Sequence, residues 1–335
     1  MTARTPLERQ VPTLADVLDA RRRIARHLRP TPLYSYAALD DLVGAEVFVK
    51  HENHQPVGAF KVRGGVNLLS QLRPEERERG VIAASTGNHG QSIAYAARLF
   101  GVPATICVPE AANPVKVASM RGLGATLVFH GRDYDEARER CEQLAREHRY
   151  RYVHSGNEPL LIAGVATETL EILEEQPRID VIIVPVGGGS GAAGACIAAG
   201  AIDPTIRVIG VQSEAAPSAY RSWRERRLVE DRMDTFAEGL ATRTSFELPQ
   251  RILWQSLDDF ILVSDDEIRA AQALMIEATR NLVEAAGAAP LAAALRLGDE
   301  VAGKRLALIS SGGNVSREQL LDVLQSSRRA SLAQS

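Results

Sequence analysis

The stretch VIIVPVGGGSG at residues 181–191 joins an apolar, β-branched run to a loop of four glycines. The run predicts a buried strand, and the alanine-rich segment after the loop predicts a helix. Consecutive glycines let backbone N–H groups converge, and a following helix adds the positive end of its dipole. The stretch therefore predicts a phosphate site within an α/β unit. Tight packing of small residues between helix and sheet is the alternative explanation.

Strands and helices alternate on both sides of this stretch. Besides a strand at 46–50, the predicted strands form two series, at 81–85, 104–108 and 125–129, and at 180–186, 206–212, 259–263 and 305–310. The predicted helices lie at 13–27, 89–100, 113–122, 133–149, 158–175, 191–201, 217–228, 264–283 and 287–298. This order predicts an α/β fold made of parallel β-α-β units. Thr13 with Asp16, and Ser264 with Glu267, have the spacing of capping boxes.

Composition restricts the partners. The chain has 335 residues, of which 45% are hydrophobic and 24% charged, with a formal net charge of -3. This charge gives no basic footprint for nucleic acid or anionic lipid, so a small-molecule partner is expected. The uncharged run 181–202 is long enough for a membrane helix, but its glycines and Pro185 favour a strand, a turn and a helix.

The predicted compartment is the cytoplasm. Three widely spaced cysteines, Cys107, Cys141 and Cys196, form neither a metal-ligand pair nor a disulfide framework, which suits a reducing environment. The N-terminal segment contains no apolar stretch and is not expected to be a secretory signal.

A single lysine stands out in GAFKVRGG at 58–65. Burial favours the neutral amine of a lysine, as would a nearby cation such as Arg63, and a neutral amine is a nucleophile or base. Phe60 would supply an apolar wall beside Lys61. The alternative is that Lys61 simply reaches solvent.

The segment ASTGNHGQ at 84–91 follows a predicted strand and begins a helix. Its polar side chains, Ser85, Thr86 and Asn88, and the unpaired amides of the helix start suit a carboxylate. Plain helix capping by one of these side chains is the alternative, and both roles are compatible.

Two further patterns in the sequence bear on other classes of ligand. Gly187, Gly189 and Ala192, with Glu214 further on, fit a loose dinucleotide fingerprint, so a nicotinamide-dependent dehydrogenase is an alternative from a different class. His51 and His54 are three residues apart beside Pro56, and this spacing does not match a helical zinc signature. No metal site is predicted.

Taken together, GAFKVRGG, STGNHGQ, GGGSG and SSGGN at 310–314 resemble the pyridoxal-phosphate enzymes of the tryptophan-synthase-β fold, also called fold type II. The resemblance is to the branch of serine/threonine dehydratases and serine racemase, and it extends from PTPL near residue 31 to SSGGN. It implies two domains with open, mostly parallel twisted sheets and an active site in the cleft between them. It also implies a homodimer or homotetramer.

The implied domain boundaries place 1–80 and 156–325 in a large cofactor-binding domain and 81–155 in a small domain. Residues 326–335 are expected to form a disordered tail.

The resemblance also implies roles for single residues. Lys61 would hold pyridoxal 5'-phosphate as a Schiff base and later move the Cα proton, and Asn88 would bind the ring hydroxyl. Ser311 would face the pyridine nitrogen. The phosphate would lie in the glycine loop, which consists of Gly187, Gly188, Gly189, Ser190 and Gly191. The cofactor pocket would also include Phe60, Gly239 and Glu284. The substrate carboxylate would contact Ser85, Thr86, Gly87, Asn88 and His89.

The implied activity is α,β-elimination of water from a 3-hydroxy amino acid, L-threonine or L-serine first, to give a 2-keto acid and ammonia. Racemisation is the close alternative, with Lys61 and Thr86 on opposite faces. The connection HENHQPVGAF, which lacks a Ser or Thr beside the glycine, leaves room for phenylserine or 3-hydroxyaspartate. A catalytically silent cofactor-binding regulator is a further alternative.

Metal-dependent members of the group carry acidic ligands where this chain has Gln212 and Ser218, with the carbonyl group of Ala216 between them. Hard cations need such charged oxygens. A divalent ion would require Glu214 to substitute from an offset position, so none is expected.

Overall fold

The computed structural model describes residues 10–333, and for 326–333 it describes the backbone alone. The strands are Leu33–Ser35 (β1), Glu46–His51 (β2), Val81–Ala84 (β3), Ala104–Val108 (β4), Thr126–Phe129 (β5), Arg151–Tyr152 (β6), Val181–Pro185 (β7), Arg207–Ser213 (β8), Asp259–Val263 (β9) and Arg305–Ser310 (β10). All eight predicted strands are confirmed, with bounds within one residue at each end.

The helices are Leu14–Ile24 (α1), Ala37–Val43 (α2), Lys61–Leu69 (α3), Pro74–Arg79 (α4), Asn88–Phe100 (α5), Pro114–Gly122 (α6), Tyr134–His148 (α7), Pro159–Val165 (α8), Thr167–Glu175 (α9), Ser190–Ile202 (α10), Ser218–Glu225 (α11), Glu247–Ser256 (α12), Asp265–Thr279 (α13), Ala285–Leu297 (α14) and Arg317–Ala333 (α15). The predicted single helix 158–175 is wrong in one respect, because it is divided at Ala166 into α8 and α9.

The described chain divides into two compact units. The first unit consists of 10–29 and 61–167, and the second unit consists of 30–60 and 168–333. Residues 61–80 therefore belong to the first unit, whereas the sequence prediction assigned them to a large domain with the chain ends. The predicted division into a large and a small domain stays a prediction.

The second unit contains a six-stranded sheet in the order β1-β2-β10-β7-β8-β9. Its strands are parallel except for the antiparallel pair of β1 and β2. The register aligns Val49, Leu308, Ile183 and Ile209 in one row across the sheet, and all four are buried. Burial of this row explains why the central strands are continuous apolar runs rather than alternating ones.

The first unit contains a parallel four-stranded sheet in the order β5-β4-β3-β6. Its core includes Ile82, Ala84, Cys107 and Cys141. In both units a strand leads directly into one of the predicted ligand loops, since β3 precedes the asparagine loop and β7 precedes the glycine loop. Ligands of parallel α/β sheets bind at such carboxyl ends of strands.

Local signals fix several helix ends as expected. Thr13 and Asp16 form the predicted capping box of α1, and Ser264 and Glu267 form that of α13. The run 181–202 is strand, loop and helix, and no described helix is long and apolar enough to cross a membrane. Helix α15 extends through most of the predicted disordered tail, and the last two residues lie outside the described part of the chain.

Candidate active site

Lys61 is the first residue of α3 and is half-buried. Its Nζ donates a hydrogen bond to the carbonyl oxygen of Ser155, 3.2 Å away. Its own carbonyl oxygen accepts a 2.6 Å hydrogen bond from the hydroxyl of Ser92, a fully buried residue of α5. Lys61 is therefore held at both its backbone and its amine within the first unit.

Two histidines close to Lys61 are neutral. Burial, and after it the positive charge of Lys61, lower the pKa of His89 to about 3. Burial likewise lowers the pKa of His154 to about 4, with smaller contributions from Arg138 and Lys61. The imidazoles therefore add no positive charge around the amine at neutral pH.

The guanidinium group of Arg63 binds a group other than the Lys61 amine. It is fully buried, and its Nη1 donates a hydrogen bond to the hydroxyl of Thr167 at 3.2 Å. Lys61 and Arg63 are two residues apart in a helix, and such residues point in nearly opposite directions. The effect of Arg63 on the Lys61 amine was conditional on their approach, and helix geometry does not favour that approach.

The asparagine loop is stabilised from within. The hydroxyl oxygen of Ser85 accepts hydrogen bonds from the amides of Gly87, at 3.0 Å, and Gly90, at 2.9 Å. The N-cap residue of α5 is Gly87, and Ser85 supplies the acceptor for an amide of the first turn from two residues earlier. The contact of Ser85 with the substrate stays a prediction. Thr86 is half-buried, and its hydroxyl has no hydrogen-bond partner among the residues described. Asn88 and His89 begin α5, and Nε2 of His89 lies 3.2 Å from the carbonyl oxygen of Val153.

A buried lysine that the sequence analysis missed contacts this loop. Lys116 of α6 is only 6% exposed. A methyl group on Gly87 would lie 2.8 Å from its Cδ and 3.1 Å from its Nζ. The lysine side chain thus lies directly against the backbone of Gly87. The signal was available, because PVKVASM begins a predicted helix that follows a strand beside β3.

The glycine loop lies in the second unit at the start of α10. Gly189 is the N-cap residue in a left-handed conformation with φ of 87°, and it offers no side chain to the amides of the first turn. A side chain on Gly188 would overlap the ring of Phe246, and one on Gly187 would overlap the carbonyl group of Gly239. The loop backbone is therefore closely supported from one side.

Phe60 and Ser311 meet in the same unit. The amide of Phe60 donates a 3.0 Å hydrogen bond to the carbonyl oxygen of Ser311, and Ala59 forms an antiparallel bridge with Gly312. The ring of Phe60 lies beside Gly191, where a methyl group would be 3.2 Å from its Cε2. Phe60 thus connects the glycine loop with the segment that follows β10.

Glu284 lies beside the same segment. It is the N-cap residue of α14 and only 8% exposed, so it is not a solvated helical glutamate. A methyl group on Gly312 would lie 2.6 Å from its Oε1, and one on Gly239 would lie 3.7 Å from it. The second unit thus brings Glu284, Gly239 and the Ser311 segment together, and their contact with the cofactor stays a prediction.

The predicted site residues are divided between the units. The first unit holds Lys61, Ser85, Thr86, Gly87, Asn88 and His89. The second unit holds Phe60, Gly187, Gly188, Gly189, Ser190, Gly191, Gly239, Glu284 and Ser311. The chain passes from the second unit to the first between Phe60 and Lys61. The individual roles of these residues stay predictions.

Sequence reasoning also missed the partner of the lysine amine. Ser155 and His154 follow β6, a strand of only two residues that shows no periodicity of its own. Nδ1 of His154 accepts hydrogen bonds from the amides of Gly156 and Asn157, both at 3.0 Å, which shapes this loop. The place of the loop after a parallel strand is the signal that would have found it.

The second unit fits the phosphate of pyridoxal phosphate. A helix of 13 residues begins at Ser190, and its N-cap is a glycine. The residues before the helix are glycines, so no side chain covers their backbone amides. Backbone amides at such a helix start bind phosphate without needing a cationic side chain. In the first unit, Lys61 supplies the primary amine that the cofactor aldehyde requires.

Comparison with known proteins agrees with this chemistry. The family described as pyridoxal-phosphate dependent enzyme matches residues 24–312. The chain is 39% identical to an L-threonine ammonia-lyase of Thermotoga maritima over 90% of this chain and 76% of that protein. It is 39% identical to an L-threo-3-hydroxyaspartate ammonia-lyase of Saccharomyces cerevisiae over 92% of this chain and 95% of that protein.

A solved structure has the same fold. The serine racemase of Dictyostelium discoideum superposes with a TM-score of 0.85 at 35% identity, covering 91% of this chain and 99% of that chain. These matches support pyridoxal phosphate over the dinucleotide interpretation of the glycine loop. They also confirm the fold type II resemblance. The chain belongs to the family of pyridoxal-phosphate dependent enzymes.

Proposed function

We propose that this enzyme eliminates water from a 3-hydroxy amino acid, L-threonine or L-serine first, and releases a 2-keto acid and ammonia. The observation that carries the proposal is the packing of α3 against α5, with the Ser92 hydroxyl joined to the carbonyl oxygen of Lys61 at 2.6 Å. It fixes an amine close to a loop suited to a carboxylate. An amino acid that loses its Cα proton needs both groups.

Pyridoxal phosphate, when bound, withdraws electrons from Cα of an attached amino acid and so makes the Cα proton acidic. Lys61 binds the cofactor in the resting enzyme and removes this proton at its Nζ during reaction. The carbonyl group of Ser155, 3.2 Å from Nζ, orients the amine. Because His89 and His154 are neutral, they do not repel the positive charge that Lys61 carries after it has taken the proton.

The asparagine loop orients the substrate. Its backbone amides and Asn88 at the start of α5 hold the substrate carboxylate and the ring hydroxyl of the cofactor, and buried Lys116 adds positive charge. The amides of the glycine loop hold the phosphate. Phe60, Gly239 and Glu284 line the ring.

Ser311 determines the outcome of the reaction in this proposal. A hydroxyl, unlike a carboxylate, does not keep a pyridine nitrogen protonated, so negative charge at Cα is poorly delocalised. The bond from Cβ to the hydroxyl then breaks promptly, and the leaving oxygen takes up a proton and departs as water. A water molecule then hydrolyses the released enamine to the 2-keto acid and ammonia, so no net water is lost. The names of the ammonia-lyase relatives support the same outcome.

The test is ammonia release by the cofactor-loaded enzyme from L- and D-serine, L- and D-threonine, phenylserine and 3-hydroxyaspartate. At least one L-substrate is expected to release ammonia, and Lys61→Ala is expected to reduce the rate on the order of 10²–10⁴-fold. Lys116→Met serves as a second variant, with a raised KM because the carboxylate loses a cation. Silence of the whole panel, with the visible absorbance of bound cofactor intact, would disprove the proposal.

Racemisation is a second candidate, because the Thr86 hydroxyl has no hydrogen-bond partner among the residues described and thus is available as an acid. A serine racemase is also among the structural relatives. Formation of the opposite enantiomer from L-serine, lost in Thr86→Ala and retained in Thr86→Ser, would support it. Ammonia release without any enantiomer would exclude it.

We also propose that the enzyme acts in the cytoplasm as a homodimer or homotetramer. The three cysteines are free and buried, which suits a reducing compartment. Light scattering of the purified protein tests the assembly, and a monomer at micromolar concentration would contradict it.

A further inference from the structure

The side chain of Gln212, at the carboxyl end of β8, is completely buried and points at two parts of the second unit. Its Oε1 accepts hydrogen bonds from the amides of Ala219, at 3.1 Å, and Tyr220, at 3.0 Å, in the first turn of α11. Its Nε2 faces the carbonyl oxygen of Leu240 at 3.5 Å. One amide group thus caps a helix with its oxygen and faces a loop with its nitrogen.

Ser218 makes a parallel link from α11. It is fully buried, and its hydroxyl donates a 2.7 Å hydrogen bond to the carbonyl oxygen of Thr242. Gln212 and Ser218 therefore present two protein donors to two carbonyl oxygens of the same short segment, 239–242. We name this segment the support segment.

The support segment lies directly against the glycine loop. A side chain on Gly187 would overlap the carbonyl group of Gly239, and the Thr242 hydroxyl lies 3.5 Å from the carbonyl oxygen of Gly187. Displacement of the support segment would therefore move the backbone that is proposed to bind the cofactor phosphate.

The two carbonyl oxygens face hydrogen-bond donors, whereas in a cation site they would face further oxygen ligands. Backbone carbonyl oxygens facing carboxylates form a site for a hard cation, which takes only oxygen ligands. Here the groups that face the Leu240 and Thr242 carbonyl oxygens are an amide nitrogen and a hydroxyl. The carboxylate of Glu214 forms an ion pair with Nη1 of Arg296 at 2.9 Å instead of facing these carbonyl oxygens. The residues present do not fit a divalent ion.

We propose that Gln212 and Ser218 are positioning residues that replace a structural cation and hold the support segment against the glycine loop. Cofactor binding by this enzyme is therefore independent of divalent cations. The proposal concerns the cofactor that family membership establishes, so it stands whichever amino acid is the substrate.

The first arm of the test uses the wild-type holoenzyme. It is dialysed against a chelator in a buffer whose only cation is an organic ammonium ion, and the cofactor dissociation constant and the Tm are measured. Both values are expected to stay unchanged when Mg²⁺ or Ca²⁺ is added. Loss of cofactor on dialysis, with recovery on addition of either ion, would overturn the proposal.

The second arm converts the donors into carboxylates. In the double variant Gln212→Glu with Ser218→Asp, carboxylate oxygens face the two carbonyl oxygens. Cofactor affinity is expected to fall roughly tenfold in the chelated buffer and to recover with Ca²⁺ or Mg²⁺. Unchanged affinity without any response to cations would show that the donors do not position the loop.

A third arm covers the case in which the double variant does not fold. Gln212→Met keeps the size of the side chain but removes both its donor and its acceptor, and roughly tenfold weaker cofactor binding is expected. Gln250→Met is the matched control, because Gln250 is also buried and its Nε2 contacts α11, at the Ala219 carbonyl oxygen, without reaching the support segment. Equal affinities of the two variants would contradict the proposal.

Discussion

The backbone amide of Phe60 donates a hydrogen bond to the carbonyl oxygen of Ser311, 3.0 Å away. Two residues earlier, the carbonyl oxygen of Gly58 accepts a 2.9 Å hydrogen bond from the amide of Gly313. The segment that leads into Lys61 is thereby fixed, within the second unit, to the segment that carries the proposed partner of the pyridine nitrogen. Small errors in this pairing would shift the chain just before the lysine.

Gly58→Ala is expected to disturb this pairing. Gly58 has φ of 65°, and a methyl group there would lie 2.8 Å from Oδ1 of Asn314, whose Nδ2 binds the carbonyl oxygen of Val57. The strained backbone costs about 1–2 kcal/mol, and the clash adds about 1–3 kcal/mol. Urea unfolding measures the free energy of unfolding.

Gly44→Ala is the control for this experiment. Gly44 has a similar φ of 72° but no atom within 4 Å of the added methyl group. It is expected to show the backbone cost alone. Equal losses of stability in the two variants would mean that the Asn314 contact has no energetic effect.

Gly188→Ala is expected to weaken cofactor binding roughly tenfold or more, because its methyl group would overlap the ring of Phe246 and push the glycine loop outward. Phe246→Leu in the same chain creates room and should restore part of the affinity. Cofactor titration followed by absorbance measures both.

Gly200→Ala provides the comparison within α10. A methyl group at Gly200 meets no atom within 4 Å, so this change should leave the affinity unaltered and raise stability by about 0.5–1 kcal/mol. If Gly188→Ala binds cofactor as well as Gly200→Ala does, the loop is not held by Phe246.

A buried ion pair stabilises the second unit. Nζ of Lys50 lies 2.7 Å from Oε2 of Glu171 and 2.7 Å from the carbonyl oxygen of Thr31, and both charged side chains are nearly inaccessible to solvent. Lys50→Met leaves a buried carboxylate without this cation and should cost about 3–5 kcal/mol.

The double variant Lys50→Met with Glu171→Leu should be more stable than Lys50→Met alone, because no unpaired charge remains. The wild type, Lys50→Met, Glu171→Leu and the double variant form a double-mutant cycle, in which urea unfolding measures the free energy of unfolding of each protein. Additive losses from the two substitutions would argue against an energetic coupling of Lys50 with Glu171.

His154 should make the enzyme sensitive to acid. Its pKa is lowered from 6.5 to about 4 by burial, so below pH 6.5 the unfolded chain binds a proton that the folded chain does not. Stability therefore falls as the pH decreases from about 6.5 to about 4, by on the order of 3 kcal/mol in total.

His154→Asn removes the titration. The Oδ1 of asparagine can accept the hydrogen bonds that Nδ1 of His154 accepts from the amides of Gly156 and Asn157. The pH dependence of the free energy of unfolding should become flatter between pH 4 and 6.5. Parallel profiles for wild type and variant would exclude His154 as the source.

The sequence by itself determined the order of the main strands and helices, because apolar runs and helical periodicity are local properties of the chain. Capping boxes such as Ser264 with Glu267 act over three residues, so these helix starts were also predictable. The cofactor followed from motifs that combine a lysine, glycines and amide donors in a fixed order. Short elements such as β6 could not be predicted, since a strand of two residues shows no hydrophobic periodicity.

The tertiary structure decided which groups meet over long distances in the chain. Ser155 reaches the amine of Lys61 across 94 residues, and neither residue reveals this contact in its own sequence neighbourhood. Helix geometry turned Arg63 away from the amine, although it is close in sequence. Gln212 was recognisable as a missing carboxylate. Only folding showed that its amide caps α11 and faces Leu240, because burial forces each polar atom to find a partner nearby.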